Sequence, residues 1–269
     1  MPEGNEIHRY AREQERLFGG RVITVEGPNG RFEDVAALLN RRKLRSVEAY
    51  GKHLFYDFGP GRQLHIHLGL YGKFRTGEMP FPEMRGALRL RFSSPQHWLE
   101  LRGPTICEVL TRAERDLLLV RIGPDPLRED ADAAAAVNRI VKSRAPIAAL
   151  LMDQSVISGI GNIYRAELLF RARLNPFRAG NTISKRVLLK LWKDARELLY
   201  SGMIDRRIVT TRPGDRPHPN GKARPGETHY VYRRHRLPCF LCGTEVNGEE
   251  FVGRKLYWCP ECQAAVETD

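Results

Sequence analysis

Four cysteines near the C-terminus constrain this chain more than any other feature: Cys239-x-x-Cys242, sixteen residues, then Cys259-x-x-Cys262. Thiolates at that spacing can close tetrahedrally round one Zn²⁺ from two tight turns, and the ion replaces a core that about forty residues cannot build alone. Four sulfurs leave no coordination position for a catalytic water, so such a zinc is structural. A pair of redox dithiols is the other reading. The fifth cysteine, Cys107, stands apart and reads as a buried apolar filler. In a cytoplasm this usage favours metal over disulfide. Between the turns, GRKLYW puts basic and aromatic residues at a hairpin tip suited to a phosphate.

With 269 residues, 42% of them hydrophobic, the chain can fill one large core or two ordinary ones. No apolar run approaches the roughly 18 residues of a membrane span, and MPEGNEIHRYARE is charged where a signal peptide is apolar. The expectation is a cytoplasmic, monomeric protein with no membrane partner. A formal charge of +12, from 44 Lys and Arg against 32 Asp and Glu, favours a polyanion as partner, nucleic acid first.

The pattern of apolar residues changes midway. Ile7, Tyr10, Ala11, Leu17 and Phe18 recur at helical spacing, with Pro2 before them and Gly19 and Gly20 after. RVITVEG, HLFYDFG, QLHIHLGLYG, GALRLRFSS and HWLELRG follow as short strands, several alternating apolar with polar or basic residues, interrupted by a helix over about 32–40. Past Gly123 the charged, proline-bearing GPDPLRED reads as a linker, and period 3.6 then predicts helices at about 131–142, 145–152, 162–172 and 184–201. Residues 206–236 hold nine Arg or Lys against Asp215 and Glu227, with four prolines, and read as a mobile basic loop partly ordered by nucleic acid. The expected fold is α+β: a β-sandwich domain flanked by helices over 1–122, a linker over 123–130, a helical domain over 131–205, the basic loop over 206–236 and a four-cysteine zinc hairpin over 237–265.

Two further strings carry chemistry. In SGIGNIYRAELLF, Gly159 and Gly161 permit close backbone approach, and Asn162 opens a helix whose free N–H groups favour an anion. A plain glycine turn between packed helices is equally consistent with those residues. At the N-terminus, loss of Met1 would expose the secondary amine of Pro2. An α-amino group has a pKa near 8, so roughly a tenth is unprotonated at neutral pH, a workable nucleophile toward an aldehyde-level carbon. Glu3 is placed to move protons beside it. Pro and Glu are also ordinary helix starters, so the terminus alone decides nothing. His65 and His67 alternate on one strand and read as packing or backbone contacts.

Together and in order, PEGNE, SGIGNIYRAELLF and GRKLYWCPEC resemble the N-terminal motif, helix-two-turn-helix and zinc finger of the formamidopyrimidine-DNA glycosylase and endonuclease VIII family, over nearly the whole chain. The resemblance implies a bifunctional glycosylase and AP lyase of base excision repair, acting on damaged double-stranded DNA and carrying one structural zinc on Cys239, Cys242, Cys259 and Cys262. It makes Pro2 the nucleophile, Glu3 its acid or base and Glu6 a further acidic residue of the DNA site. Lys52, Asn162 and Arg254 become phosphate contacts, with Lys52 and Arg254 counted in the catalytic set. PEG rather than PELPE, Leu70 and Tyr71 in HLGLYG, and Arg102 without a phenylalanine wedge in LRGPT are similar to endonuclease VIII and imply oxidised pyrimidines. A preference for 8-oxoguanine and formamidopyrimidine, or a non-catalytic zinc-bearing DNA binder, are the alternatives. Asn5, where the family often has proline, is a minor departure.

Overall fold

The computed structural model describes residues 2–28, 30, 32–84 and 86–264. The chain divides into two compact units, 1–121 and 122–269.

In the first unit, α1 (Gly4–Phe18) buries Ile7, Ala11, Leu17 and Phe18 on one stripe. It ends at Gly19–Gly20, where Gly20 takes φ +74°, a turn residues with a Cβ resist. Two polar side chains on the same helix dock it to strand residues: Tyr56 donates its hydroxyl to Gln14, and the Val47 N–H donates to Glu15 Oε2 at 2.6 Å. Then follow β1 (Val22–Glu26), α2 (Glu33–Leu39), β2 (Arg42–Lys43), β3 (Ser46–Tyr50), β4 (His53–Asp57), β5 (Gln63–His67), β6 (Lys73–Glu78), β7 (Leu90–Ser93), β8 (His97–Arg102), β9 (Ile106–Leu110) and α3 (Arg112–Arg121). They form two antiparallel sheets, β2-β1-β7-β8-β6 and β3-β4-β5-β9. Alternation decides which face is core: Leu54, Tyr56, Leu64 and Ile66 join one apolar cluster with Phe18, Phe92 and Leu101, while His53, Phe55, His65 and His67 take the opposite face. Cys107 lies in that cluster, and burial pushes its thiol up to about 12, as an inert filler requires.

The second unit holds α4 (Ala133–Val141), α5 (Ile147–Leu150), α6 (Asn162–Arg171), α7 (Lys185–Ile204) and the hairpin of β10 (Asn247–Phe251) and β11 (Arg254–Trp258). Asp132 caps α4 by accepting the N–H groups of Ala134 and Ala135, and Ser184 caps α7 through Val187. Residues 145–152, expected as a helix, give only the four-residue α5, because Pro146 stands at its N-cap and Asp153 turns the chain by accepting Ser155 N–H at 2.8 Å. The 123–126 stretch, expected as linker, is buried: the Gly123 N–H donates to Gln154 O at 2.8 Å and the Ser158 N–H to Pro124 O at 3.0 Å. An added Cβ at Gly123 would lie 2.6 Å from the Val156 carbonyl carbon, so glycine there serves close packing.

The 206–236 segment is drawn together at a neck. Thr210 N–H donates to Thr228 O at 2.9 Å and Thr211 Oγ1 to Glu227 O at 2.6 Å. Both sides of the neck meet Glu167 of α6, which is fully buried: it accepts Tyr230 N–H at 2.7 Å, Val231 N–H at 2.9 Å, Tyr232 N–H at 2.8 Å and the Thr210 hydroxyl. Arg171, one turn along α6, donates to Thr210 O at 2.7 Å and grips Asp194 of α7.

Candidate active site and metal centre

In the first unit Pro2 directly precedes Glu3, the N-cap of α1, and is half-buried; Met1 lies outside the described residues. Glu3 is the N-cap, extended at φ −108° and ψ 177°, and its carbonyl accepts the N–H groups of Glu6 at 3.0 Å and Ile7 at 3.2 Å. An ordinary helix-starting glutamate caps or sits in solvent; this one makes no side-chain capping bond and is 3% exposed. Glu6 faces outward, taking the Tyr10 hydroxyl at 3.0 Å, and burial with the Glu6 charge pushes Tyr10 up to about 12. Asn5 is buried, with Oδ1 lacking a hydrogen-bond partner among the described residues.

Lys52 lies in the two-residue turn between β3 and β4 and is 8% exposed. Leu70 and Tyr71 occupy the tight loop between β5 and β6, at 46% and 83% exposure. That loop is held by close backbone approach. Gly69, at φ +65°, would put a Cβ 1.8 Å from Thr105 Oγ1, and Gly103, at φ +57°, lies against the Tyr71 carbonyl. Leu70 and Tyr71 thus leave apolar surface in water at the tip of a tightly turned loop. Arg102 closes β8 and is only 12% exposed, its Nη2 2.8 Å from Glu100 Oε2 while Arg91 takes the other oxygen at 2.8 Å. Burial alone would raise Glu100, but hydrogen bonds and charge from Arg91 and Arg102 outweigh it and hold the carboxyl below its usual range. Sequence reasoning missed Glu100, because its partners are set by strand pairing.

In the second unit, Gly161 is the N-cap of α6 and Asn162 its first residue. Asn162 Nδ2 donates to Lys255 O at 2.9 Å, and the buried Arg165 donates to Asn162 Oδ1 and to Lys255 O. The start of α6 and the zinc-type hairpin bearing Arg254 are thereby tied together. The hairpin turns through Val252 and Gly253, both at positive φ, directly before Arg254.

Cys239, Cys242, Cys259 and Cys262 bring their sulfurs within 4.8 Å of one another. The Cys239–Cys262 and Cys242–Cys259 sulfur separations are 3.9 and 3.4 Å. A Zn–S bond of about 2.3 Å in a tetrahedron demands about 3.8 Å between sulfurs, so the donor set fits one such ion and is too open for disulfides. Cys239, Cys259 and Cys262 are buried against Ala166 and Phe170 of α6 and against Tyr230 and Val231. The expectation that His65 makes only packing or backbone contacts is corrected: its side chain hydrogen-bonds His53 and Glu108.

A two-sheet unit with an exposed, clamped loop, followed by a helical unit whose glycine-led helix is joined to a four-cysteine hairpin, defines the helix-two-turn-helix class of DNA repair glycosylases. Residues 1–105 match the formamidopyrimidine-DNA glycosylase N-terminal domain, and residues 122–212 the formamidopyrimidine-DNA glycosylase H2TH domain. The chain is 44% identical to endonuclease 8 1 of Mycobacterium tuberculosis, covering 98% of this chain and 100% of that protein. It is 32% identical to formamidopyrimidine-DNA glycosylase of Thermus thermophilus, covering 98% of each. Lactococcus lactis Fpg in complex with oxidised-pyrimidine DNA superposes with a TM-score of 0.80 at 25% identity, over 98% of this chain and 100% of that one. The chain belongs to the formamidopyrimidine-DNA glycosylase and endonuclease VIII family, whose members are DNA glycosylases with AP lyase activity.

Proposed function

We propose that this chain excises oxidised bases, pyrimidines foremost, from duplex DNA and then cuts the strand, with Pro2 as nucleophile. The observation that carries the reading is the placement of a buried, non-capping Glu3 beside a proline that becomes the chain terminus when Met1 is removed. The Pro2 nitrogen attacks the sugar anomeric carbon, the base leaves with a proton, and the sugar ring opens to an iminium. A secondary amine gives an iminium that is cationic without protonation, so the adjacent C–H is acidified and its proton is lost as the 3′ phosphate departs. A second elimination expels the 5′ phosphate. Glu3 carries the protons of ring opening and elimination.

Lys52, Asn162 and Arg254 hold backbone phosphates and position the duplex without reading its sequence, while Glu6 and Arg102 line the DNA site. The damaged base leaves the stack, and Leu70 and Tyr71 fill the space behind it. One Zn²⁺ on Cys239, Cys242, Cys259 and Cys262 fixes the hairpin that presents Arg254. The domain division follows: a catalytic sandwich over 1–122, the helical domain over 131–205, the basic loop over 206–236 and the zinc hairpin over 237–265. The 44% identical relative is an endonuclease 8, the side of the family that PEG and HLGLYG also resemble, and this favours pyrimidines over 8-oxoguanine.

Borohydride reduction during turnover should trap a covalent adduct of protein and DNA. Glu3→Gln should slow incision by on the order of 10²–10⁴. Pro2→Gly trapping as well as the unaltered protein, or an active preparation that retains Met1, would sink the mechanism. An incision panel of thymine glycol, 5-hydroxyuracil and 8-oxoguanine decides the lesion; equal or better cutting of 8-oxoguanine would overturn the pyrimidine preference.

A further inference from the structure

One face of the β3-β4-β5-β9 sheet carries a polar cluster the chemistry above leaves unused. The register sets His53 opposite His67 and Phe55 opposite His65 across β4 and β5, and His65 opposite Glu108 across β5 and β9. His65, 1% exposed, is bonded on both ring nitrogens: Nε2 lies 2.8 Å from His53 Nδ1, and Nδ1 lies 3.0 Å from Glu108 Oε1. Phe55 stacks on His65 at 5.0 Å with 14° between the rings, and the His67 ring sits 4.9 Å from His53.

Proton positions follow from the ends of this chain. A carboxylate only accepts, so His65 Nδ1 carries the proton that faces Glu108. Burial, foremost, keeps all three histidines below the ordinary value; His53 goes to about 3, with His65, His67 and Lys52 adding to the effect. A neutral His65 then has its lone pair on Nε2, His53 Nδ1 donates to it, and His53 keeps its own lone pair on Nε2. One carboxylate thus places the proton on two rings, in each case on Nδ1.

His53 directly follows Lys52, and an imidazolium there would oppose the ammonium. We propose that Glu108, His65 and His53 form a proton-ordering relay that fixes the Lys52 turn for contact with a DNA phosphate, an inference resting on the Lys52 reading above. Among the described residues, the charged and titratable groups round His53 are His65 and His67 of β5, Glu108 of β9, Tyr50 opposite it on β3, and Lys52. Beyond Phe55, Arg115 of α3 lies 5.1 Å over the ring and pairs with Glu48 of β3 at 2.8 Å. All three relay members are positioning residues.

Two measurements on the full chain test this. Nitrogen-15 NMR of the free protein should find His53 and His65 both protonated on Nδ1. Glu108→Gln, on a half-exposed side chain that folding tolerates, offers an amide N–H as well as an oxygen and should move His53 at least partly to the Nε2–H form. An Nε2–H His53 in the unaltered protein overturns the relay. The second measurement is binding to duplex carrying a tetrahydrofuran abasic analogue, over a range of salt. Lys52→Gln should lower the salt slope by roughly one, and His65→Phe, which keeps the stack on Phe55, should give part of that loss and add nothing in the Lys52→Gln background. His65→Phe and Glu108→Gln both binding as the unaltered protein, while Lys52→Gln loses its contact, refutes the positioning role alone. An unchanged slope in Lys52→Gln refutes the Lys52 reading itself, leaving the tautomer result to stand separately.

Discussion

At the scale of single residues, Glu167 shows what a sequence string conceals. It lies within SGIGNIYRAELLF, and its position on a helix is legible there. Its partners are not, because Thr210 and Tyr230–Tyr232 lie 43 to 65 residues away and meet it only through the fold. The same holds for Glu100 between Arg91 and Arg102, and for His65 between His53 and Glu108. Glycines and terminal residues act locally and could be read; buried carboxylates act at a distance and could not. Replacing Glu167 by Ala strands three backbone N–H groups in the interior and leaves the Thr210 hydroxyl only Thr228 O, at 3.2 Å. Each unmade bond costs about 1–3 kcal/mol, so Glu167→Ala should lose at least ~3 kcal/mol, read as a lower urea midpoint at constant m-value. Glu167→Gln should recover only part, since its amide turns a donor toward donors. A loss below about 1 kcal/mol would mean the neck holds without it.

Among elements, period was a partial guide: helices with an apolar stripe were legible, whereas β3, which alternates buried and exposed side chains, and β6 and β9 were not read as strands. α1, α2, α4, α6 and α7 follow apolar stripes and β1 and β7 follow alternation, whereas β4, β5 and β8 are short runs buried on both faces. α3 has no buried residue and so no stripe to read, while the exposed two-residue β2 exists only because β1 pairs with it. The four-cysteine hairpin is the opposite case, its spacing alone marking it. Apart from its sulfurs, the turn that bears Cys239 and Cys242 rests on a small apolar cluster with Ala166, Phe170, Tyr230 and Val231 and on local bonds such as Cys239 N–H to Thr244 O at 2.8 Å, so the zinc proposed above would supply much of what fixes it. Zinc removal by a strong chelator should therefore loosen residues 237–264 and weaken DNA binding, with α4 and α7 left folded. Hydrogen exchange resolved by peptide would report this, and a hairpin as protected after chelation as before would show that the ion is dispensable.

For the molecule as a whole, the two cores titrate differently. The first unit encloses His53, His65 and His67, all held below the ordinary histidine value mainly by burial, whereas His229 is the one histidine of the second unit with a resolved shift among the described residues. An unfolded histidine takes up its proton near pH 6.5, but His53 in the fold does so only at about 3. Between those values the unfolded chain binds more protons, so stability falls as the pH falls through that window. Below about pH 4.5 the low-lying carboxyl of Glu100 adds a loss of the same sign to the same unit. Acidification from pH 7.5 to 5 should consequently unfold residues 1–121 at lower guanidinium concentration while residues 122–264 shift less, as followed by pulsed hydrogen exchange on peptides from each unit. Substituting His53 with Phe should flatten the acid dependence of the first unit, because a ring that cannot protonate has the same proton count folded and unfolded. If both units lose stability in parallel, or if His53→Phe leaves the acid slope as steep, the buried histidines are not what makes the first unit sensitive to acid.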